Sequence, residues 1–268
     1  MAVEGAHEEF VILNNHLITG IQNISFTQNV EEGNLSMMGE QFVSTSPTGP
    51  TTTNVSIRKI LVNNDALLSF TGSAISGQFI YGDNYLNFNS GFLTNYAVSA
   101  EIGALPLLSC DLEIYGLVTG STVSLYNQAI PETGISEVLP TGLVVTHDKE
   151  QTNAITSFSF SEVYNYQPLY GVGNGTGNLL AQQVTLLGPV TQNSEINLDI
   201  EDHSIESNTG FFAPDKNRNR NIKFEIHATT GLMLDFTLQN AHLISENVNG
   251  AVSDSVLGNI QYRGYKKV

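Results

Sequence analysis

Alternation of apolar and polar residues is the feature that most constrains the fold of this chain. Apolar side chains fall near every second position in many short runs, whereas helices space their apolar positions every three or four residues. A period of two places one face of a strand in the core and the other in water, as in antiparallel sheets. The clearest runs are Ile155–Ser161, Tyr96–Ile102, Val184–Leu186, Ile196–Ile200 and Ile222–Ile226. The chain is therefore predicted to be mainly β.

Turn-forming clusters separate these runs. Examples are Tyr81-Gly-Asp-Asn84 and Asn249-Gly250, in which Asn and Gly tolerate the positive φ of tight hairpins. Helical signal is sparse: the stretch 57–68 reads either as one short helix or as a strand followed by a turn, because Asn63-Asn64-Asp65 interrupts it.

An internal repeat predicts the domain organisation. Ile21–Phe26 resembles Ile155–Phe160, 134 residues further on, and Leu93–Val98 resembles Met233–Leu238 at an offset of 140. The order of the elements is kept and both offsets are about half the chain. The sequence predicts two tandem antiparallel β-sandwich or β-barrel domains, 1–142 and 143–268, each with at most one short helix.

Charge limits the partners of the chain. Its 268 residues include 26 acidic and 10 basic ones, for a net charge of −16. Residues 1–142 carry −11 of this and residues 143–268 carry −5. Such a chain is repelled by DNA phosphates and by anionic lipid, so neither specific DNA binding nor membrane binding is expected. The single cysteine, Cys110, excludes an internal disulfide framework.

Signatures of catalysis are absent from the sequence. It contains no Gly-x-Ser-x-Gly, His-Glu-x-x-His or phosphate-loop motif, and its six histidines are dispersed. We therefore expect no enzymatic activity, no cofactor and no bound metal.

One basic cluster stands out against the acidic background. It comprises Lys216, Arg218, Arg220 and Lys223, with asparagines between them and no aromatic residue on which a base could stack. We interpret these four residues as candidates for contact with the acidic surface of a neighbouring subunit. The alternative is an ordinary solvated loop.

Two stretches resemble bacteriophage virion proteins, in particular tail tube and tail-completion proteins. They are Val55–Gly72 and Leu93–Pro106 continuing through Leu112–Gly116, and Ser159–Glu162 followed by Tyr170-Gly171 is similar again in the second half. The resemblance implies one tail-tube-like sandwich or barrel, with one helix beside it, in each half. A duplicated member of this family would form homotrimeric rings, which stack and supply six domains per ring.

The resemblance implies a structural virion protein whose rings form a DNA-conducting tube or its completion ring. Its partners would be further copies of itself and other tail or neck proteins, and it would be assembled in the host cytoplasm. An acidic lining lets DNA slide through without binding, and we expect the first half to supply most of that lining. The alternative is a carbohydrate-binding or adhesive module using Tyr81, Tyr85, Tyr164, Tyr166 and Tyr170.

Overall fold

The fold is seen in a computed structural model, which describes residues 9–29, 32–35, 44–47, 50–61, 65–81, 84–131, 141–147, 150–152, 155–170, 180–199, 220–229, 231–249 and 257–267. The strands of the first half are β1 (Glu9–Leu13), β2 (His16–Ile18), β3 (Ile21–Asn29), β4 (Glu32–Leu35), β5 (Ser44–Pro47), β6 (Thr52–Ile60), β7 (Ile75–Tyr81), β8 (Asn84–Glu101), β9 (Leu107–Ile114), β10 (Val118–Ser121) and β11 (Ile130–Pro131). The strands of the second half are β12 (Gly142–His147), β13 (Glu150–Thr152), β14 (Ile155–Tyr170), β15 (Ala181–Asp199), β16 (Arg220–Ala228), β17 (Gly231–Asn249) and β18 (Leu257–Lys266). Two short 3₁₀ helices, η1 (Ala66–Phe70) and η2 (Tyr126–Gln128), complete the described elements.

Sixteen of the strands form one hydrogen-bonded sheet, and β4 and β5 form a separate hairpin. The described strand pairs are antiparallel apart from the short parallel pair of β11 with β2. The alternation of apolar and polar residues in the sequence matches the burial of the strands. In β6, Val55 and Ile57 are buried while Ser56 and Arg58 are exposed. The prediction of a mainly β, antiparallel fold is confirmed.

Strand β8 divides the sheet into two layers. Gly91 pairs with β7 on one edge and with β9 on the other, and Asn95 pairs with β9 and β14 on opposite edges. One edge of β8 therefore carries β7 along its first part and β14 along its last part. The chain bends between these parts, where Ser90 has a φ of +57°.

Strand β17 has the same design in the second half. Residues 231–241 pair with β16, and residues 242–249 pair with β18. Its bend lies at Asn240, whose φ is +49°. Both halves thus use one long bent strand to pass from one layer of a sandwich to the other.

We call the larger layer the eight-stranded layer. Its order is β3, β6, β9, the last part of β8, β14, β15, β18 and the last part of β17. The facing layer has the order β2-β1-β7-β8 in the first half, with β11 beside β2 and β10 beside the first part of β8, and the order β13-β12-β16-β17 in the second half. The two halves of the chain are therefore joined by the ladder between β8 and β14.

Aromatic side chains fill the space between the layers in the second half. The Phe160 ring of β14 stacks on Phe236 of β17 with centroids 4.8 Å apart, and Phe158 lies 5.2 Å from Phe224 of β16. All four rings are buried and belong to one continuous core that also includes the first half. Apolar burial in this core is the main source of stability of the fold.

The stretch 57–68 forms a strand followed by a turn. Strand β6 continues to Ile60, and the short helix η1 begins only at Ala66 with Asp65 as its N-cap. The alternative of a single helix over 57–68 is therefore wrong, because Val55 and Ile57 place β6 in the sheet core. Most of the predicted domain boundary, residues 132–140, lies outside the described residues, so the division at residue 142 remains a prediction.

Candidate assembly and lining surface

The outward face of the eight-stranded layer carries mainly polar side chains, with the exposed apolar residues Leu107 and Leu257 among them. We call it the polar face. On every strand of the layer these side chains alternate with the buried core positions, so cross-strand pairing brings them together. Strand by strand across the layer, its members are Asn23, Ser25 and Thr27 of β3; Asn54, Ser56 and Arg58 of β6; Ser109, Asp111 and Glu113 of β9; Asn95, Ala97, Ser99 and Glu101 of β8; Ser157, Ser159 and Ser161 of β14; Asn193, Glu195 and Asn197 of β15; Asn259, Gln261 and Arg263 of β18; and Ser245 and Asn247 of β17.

Hydrogen bonds between strands tie the polar face together. Asn95 Nδ2 donates to Asp111 Oδ2 at 3.0 Å, and Ser56 Oγ donates to Asp111 Oδ1 at 2.5 Å. In the second half Asn259 Nδ2 donates to Glu195 Oε1 at 2.5 Å. These carboxylates are held by neutral donors, so their hydrogen bonds leave the negative charge in place.

The polar face is weakly acidic, and among the side chains that the structure describes its acids lie mainly in the first half. Glu101, Asp111 and Glu113 come from strands β8 and β9, and Glu195 comes from β15. Arg58 and Arg263 are its basic residues among those described. A surface of this composition gives a polyanion little to hold, because phosphate binding requires clustered Lys and Arg.

A buried ion pair lies on the core side of the eight-stranded layer in the first half. Lys59 Nζ lies 3.0 Å from Asp65 Oδ1, both side chains are fully buried, and Tyr96 Oη donates to Asp65 Oδ2 at 2.9 Å. Burial, and then the negative charge of Asp65, raise the pKa of Tyr96 well above its ordinary value. The sequence interpretation missed this cluster, although Lys59 shares its strand face with Val55 and Ile57, and an inward lysine requires a buried partner.

The second half has its own buried polar cluster, which the sequence interpretation also missed. Gln192 Nε2 donates to Glu162 Oε1 at 2.7 Å and to the Thr237 carbonyl at 3.1 Å, and Gln192 Oε1 accepts from the Gln239 N–H at 2.7 Å. The Tyr164 hydroxyl also donates to Glu162. Because Gln192 bonds both layers, it fixes their relative position.

The predicted subunit-contact residues are only partly described. Lys216 and Arg218 lie outside the described residues, and Arg220 begins β16 with no description of its side chain. Lys223 Nζ lies 2.6 Å from Glu225 Oε1 and 3.1 Å from Asp235 Oδ2. Hydrogen bonds to these carboxylates raise the pKa of Lys223, and the bond from Lys223 lowers the pKa of Glu225. The charge of Lys223 is thus matched within its own chain, and the contact with a neighbour remains a prediction.

The side chain of Tyr81 lies outside the described part of the structure, and the other four tyrosines of the carbohydrate-binding alternative do not form one exposed platform. Tyr164 is buried, while Tyr85, Tyr166 and Tyr170 are half-buried. The burial of Tyr164 and its bond to Glu162 assign that residue to the core.

Comparison with protein-family models and with curated proteins gives no relative from which a function could be transferred. No protein-family model matches the chain, and no curated protein matches it significantly. Within the described part of the chain, no group of three or more His, Cys, Asp or Glu side chains is placed to hold a metal ion. The same residues contain no helix that is long and apolar enough to cross a membrane.

Proposed function

We propose that this protein is a structural component of a bacteriophage tail, whose rings form a DNA-conducting tube or its completion ring. The observation that carries this proposal is the eight-stranded layer, which buries one face and presents a continuous, weakly acidic polar face on the other. Curved into a ring, such a layer supplies a wall whose lining repels phosphates and forms few bonds with them. Its partners are further copies of the chain and other tail or neck proteins.

The proposal includes a tandem duplication. The strand orders β2-β1-β7-β8-β9-β6-β3 and β13-β12-β16-β17-β18-β15-β14 are the same, with each half supplying one sandwich. Three such chains would place six sandwiches around one axis. The concentration of acids in β8 and β9 supports the hypothesis that the first half contributes most of the negative lining.

Imaging of the purified protein tests this function. Mass photometry over a concentration series, followed by negative-stain images at the highest concentration, is expected to show hollow rings or stacks of rings. Gel-shift titration with double-stranded DNA is expected to show no complex at physiological salt. A protein that stays monomeric at high concentration and binds ligands on a glycan array would instead favour the carbohydrate-binding alternative.

A further inference from the structure

The two halves agree in register as well as in strand order. Phe26 pairs with Val55 in the ladder of β3 with β6, and Phe160 pairs with Ser194 in the ladder of β14 with β15. Phe160 lies 134 residues after Phe26, the same offset that relates β1 and β2 to β12 and β13. The offset grows to 139 for β6 and β15, to 145 for β7 and β16, and to 150 for β8 and β9 with β17 and β18.

Irregularities in the ladders fall at corresponding positions. The register shift between Ile21 and Asn23 in β3 has its counterpart between Ile155 and Ser157 in β14. Two further shifts, between Ile75 and Gly77 and between Leu93 and Asn95, recur in the second half. Their counterparts lie between Arg220 and Ile222 and between Leu243 and Ser245. Independent bulges rarely coincide in this way, so the correspondence can be read residue by residue.

The ladder between β8 and β14 has no counterpart within the described chain. It pairs Glu101 with Ser157 and Asn95 with Val163. In the correspondence between the halves, the last part of β8 matches the last part of β17, and β14 of the second half matches β3 of the first. Those two strands form the opposite ends of the eight-stranded layer: among the described residues β3 pairs with β6, and residues 242–249 of β17 pair with β18.

We infer that the last part of β17 pairs with β3 of a second copy of this chain, in the register that joins β8 to β14 within the chain. That register places Asn247 opposite Thr27, Ser245 opposite Asn29 and Asn249 opposite Ser25. The contact is head-to-tail, so successive copies extend the eight-stranded layer and close it into a ring. This inference rests on the self-association in the proposed function and names the strands that perform it.

The exposure of Phe26 supports this pairing. Its counterpart Phe160 is 2% exposed, because β8 lies beside it, whereas Phe26 is 53% exposed at the open edge. A protein that keeps a bare strand edge with a large exposed aromatic risks uncontrolled aggregation unless a partner covers it. The side chains along the proposed contact between β17 and β3 are also compatible. The register places the neutral Gln28 opposite Glu246, whereas a carboxylate at position 28 would repel Glu246.

Disulfide cross-linking tests the register. Thr27 and Asn247 are exposed residues of the polar face, so the double variant Thr27→Cys/Asn247→Cys leaves the core unchanged. Under mild oxidation it is expected to form covalent dimers and higher multimers on a non-reducing gel. Ala97→Cys/Ser161→Cys is the matched control within one chain, because these residues are direct partners in the ladder of β8 with β14. It is expected to form a disulfide inside the monomer at any protein concentration.

A second control moves one cysteine along its strand. Thr27→Cys/Ser245→Cys keeps both thiols on the polar face but displaces them by two residues, so it is expected to cross-link roughly tenfold more slowly, because disulfides require close Cβ atoms. Equal rates for the two intermolecular variants in a protein that does assemble would overturn the inferred register but leave ring formation standing. Cross-linking into open filaments without a lumen would support the register and overturn the proposed function. A wild-type protein that stays monomeric at high concentration would overturn both.

Discussion

Phe26 and Phe160 occupy corresponding positions in the two halves and have opposite environments. Phe160 lies under the β8–β14 junction against Phe236, and Phe26 lies at the open edge of β3. Strand β3 pairs with β6 in the same register in which β14 pairs with β15. The difference in exposure therefore comes from the other edge, where β14 has β8 beside it and β3 has no described strand. Within the described residues the second half is completed by β8 of the first half, whereas β3 leaves an open edge, where we propose that a strand of a second copy pairs.

The largest difference is expected from truncating these two rings. Phe160→Ala leaves a cavity between the layers and should lower the free energy of unfolding by about 3–5 kcal/mol. Phe26→Ala removes an exposed ring and should change the stability of the monomer by about 0.5 kcal/mol or less. Urea unfolding at low protein concentration measures both. Similar losses for the two variants would contradict the assignment of β3 as an open edge in the single chain.

The buried ion pair gives the next largest contrast between the halves. Lys59 corresponds to Leu198, and both are buried. Lys59→Leu copies the second half but leaves Asp65 without its cation, so it should cost about 3 kcal/mol. Lys59→Leu/Asp65→Asn removes both charges and should recover more than half of that loss. If the single variant is as stable as the wild type in urea unfolding, the pair contributes nothing to the first half.

The layer-bridging amide of the second half provides a smaller effect. Gln192 corresponds to Thr53, which is also buried. Gln192→Leu removes three hydrogen bonds, one of them to the Glu162 carboxylate, which keeps Tyr164 and Lys266 as donors, so a loss of about 2 kcal/mol is expected. The conservative variant Thr53→Val serves as the matched control and should cost less. Thermal unfolding measures both, and an unchanged midpoint for Gln192→Leu would show that the cluster does not hold the layers together.

Substitutions at the bends of the two long strands are expected to change the free energy of unfolding by less than the substitutions above. Ser90 and Asn240 both have positive φ, which is unfavourable for serine and tolerated by asparagine. Ser90→Gly should therefore stabilise the protein by about 0.5–1 kcal/mol. Asn240→Gly should not stabilise it, because Asn240 Nδ2 also donates to the Tyr265 carbonyl at 3.1 Å. Equal gains for the two variants would contradict this reading of the bends.

The smallest effect concerns the ion pairs of Lys223. Because the hydrogen bond from Lys223 lowers the pKa of Glu225, the stability from this carboxylate is present above its ordinary pKa and is lost as the pH falls through the lowered one. Lys223→Met should raise the pKa of Glu225 toward its ordinary value, as followed by NMR titration of the side-chain carboxyl carbon. An unshifted titration would show that Lys223 is free to contact another surface.

Much of the fold follows from the sequence, because alternation reports which face of a strand is buried. The similarity of Ile21–Phe26 to Ile155–Phe160 coincides with the register of the ladders. The similarity of Leu93–Val98 to Met233–Leu238 does not, since the ladders relate Leu93 to Leu243. A strand pattern with a period of two looks alike after any even shift, so it cannot fix the register on its own.

The buried polar clusters were harder to predict for a different reason. Lys59 and Glu162 interrupt apolar strand faces, which indicates that they point inward but not which partner meets them. Asp65 is a plausible partner by proximity, whereas Gln192 meets Glu162 only because β14 and β15 pair in one register. The open edge at β3 could not be predicted from the sequence either, because its exposure depends on whether another strand of the folded chain pairs with it.

Electron cryomicroscopy of the assembled protein is the most direct measurement of the central claim, that the eight-stranded layer continues from chain to chain. We expect a closed ring in which β17 of each chain lies beside β3 of the next and the polar face surrounds a central channel. Particles in which β3 stays uncovered, or in which the polar face points outward, would contradict it.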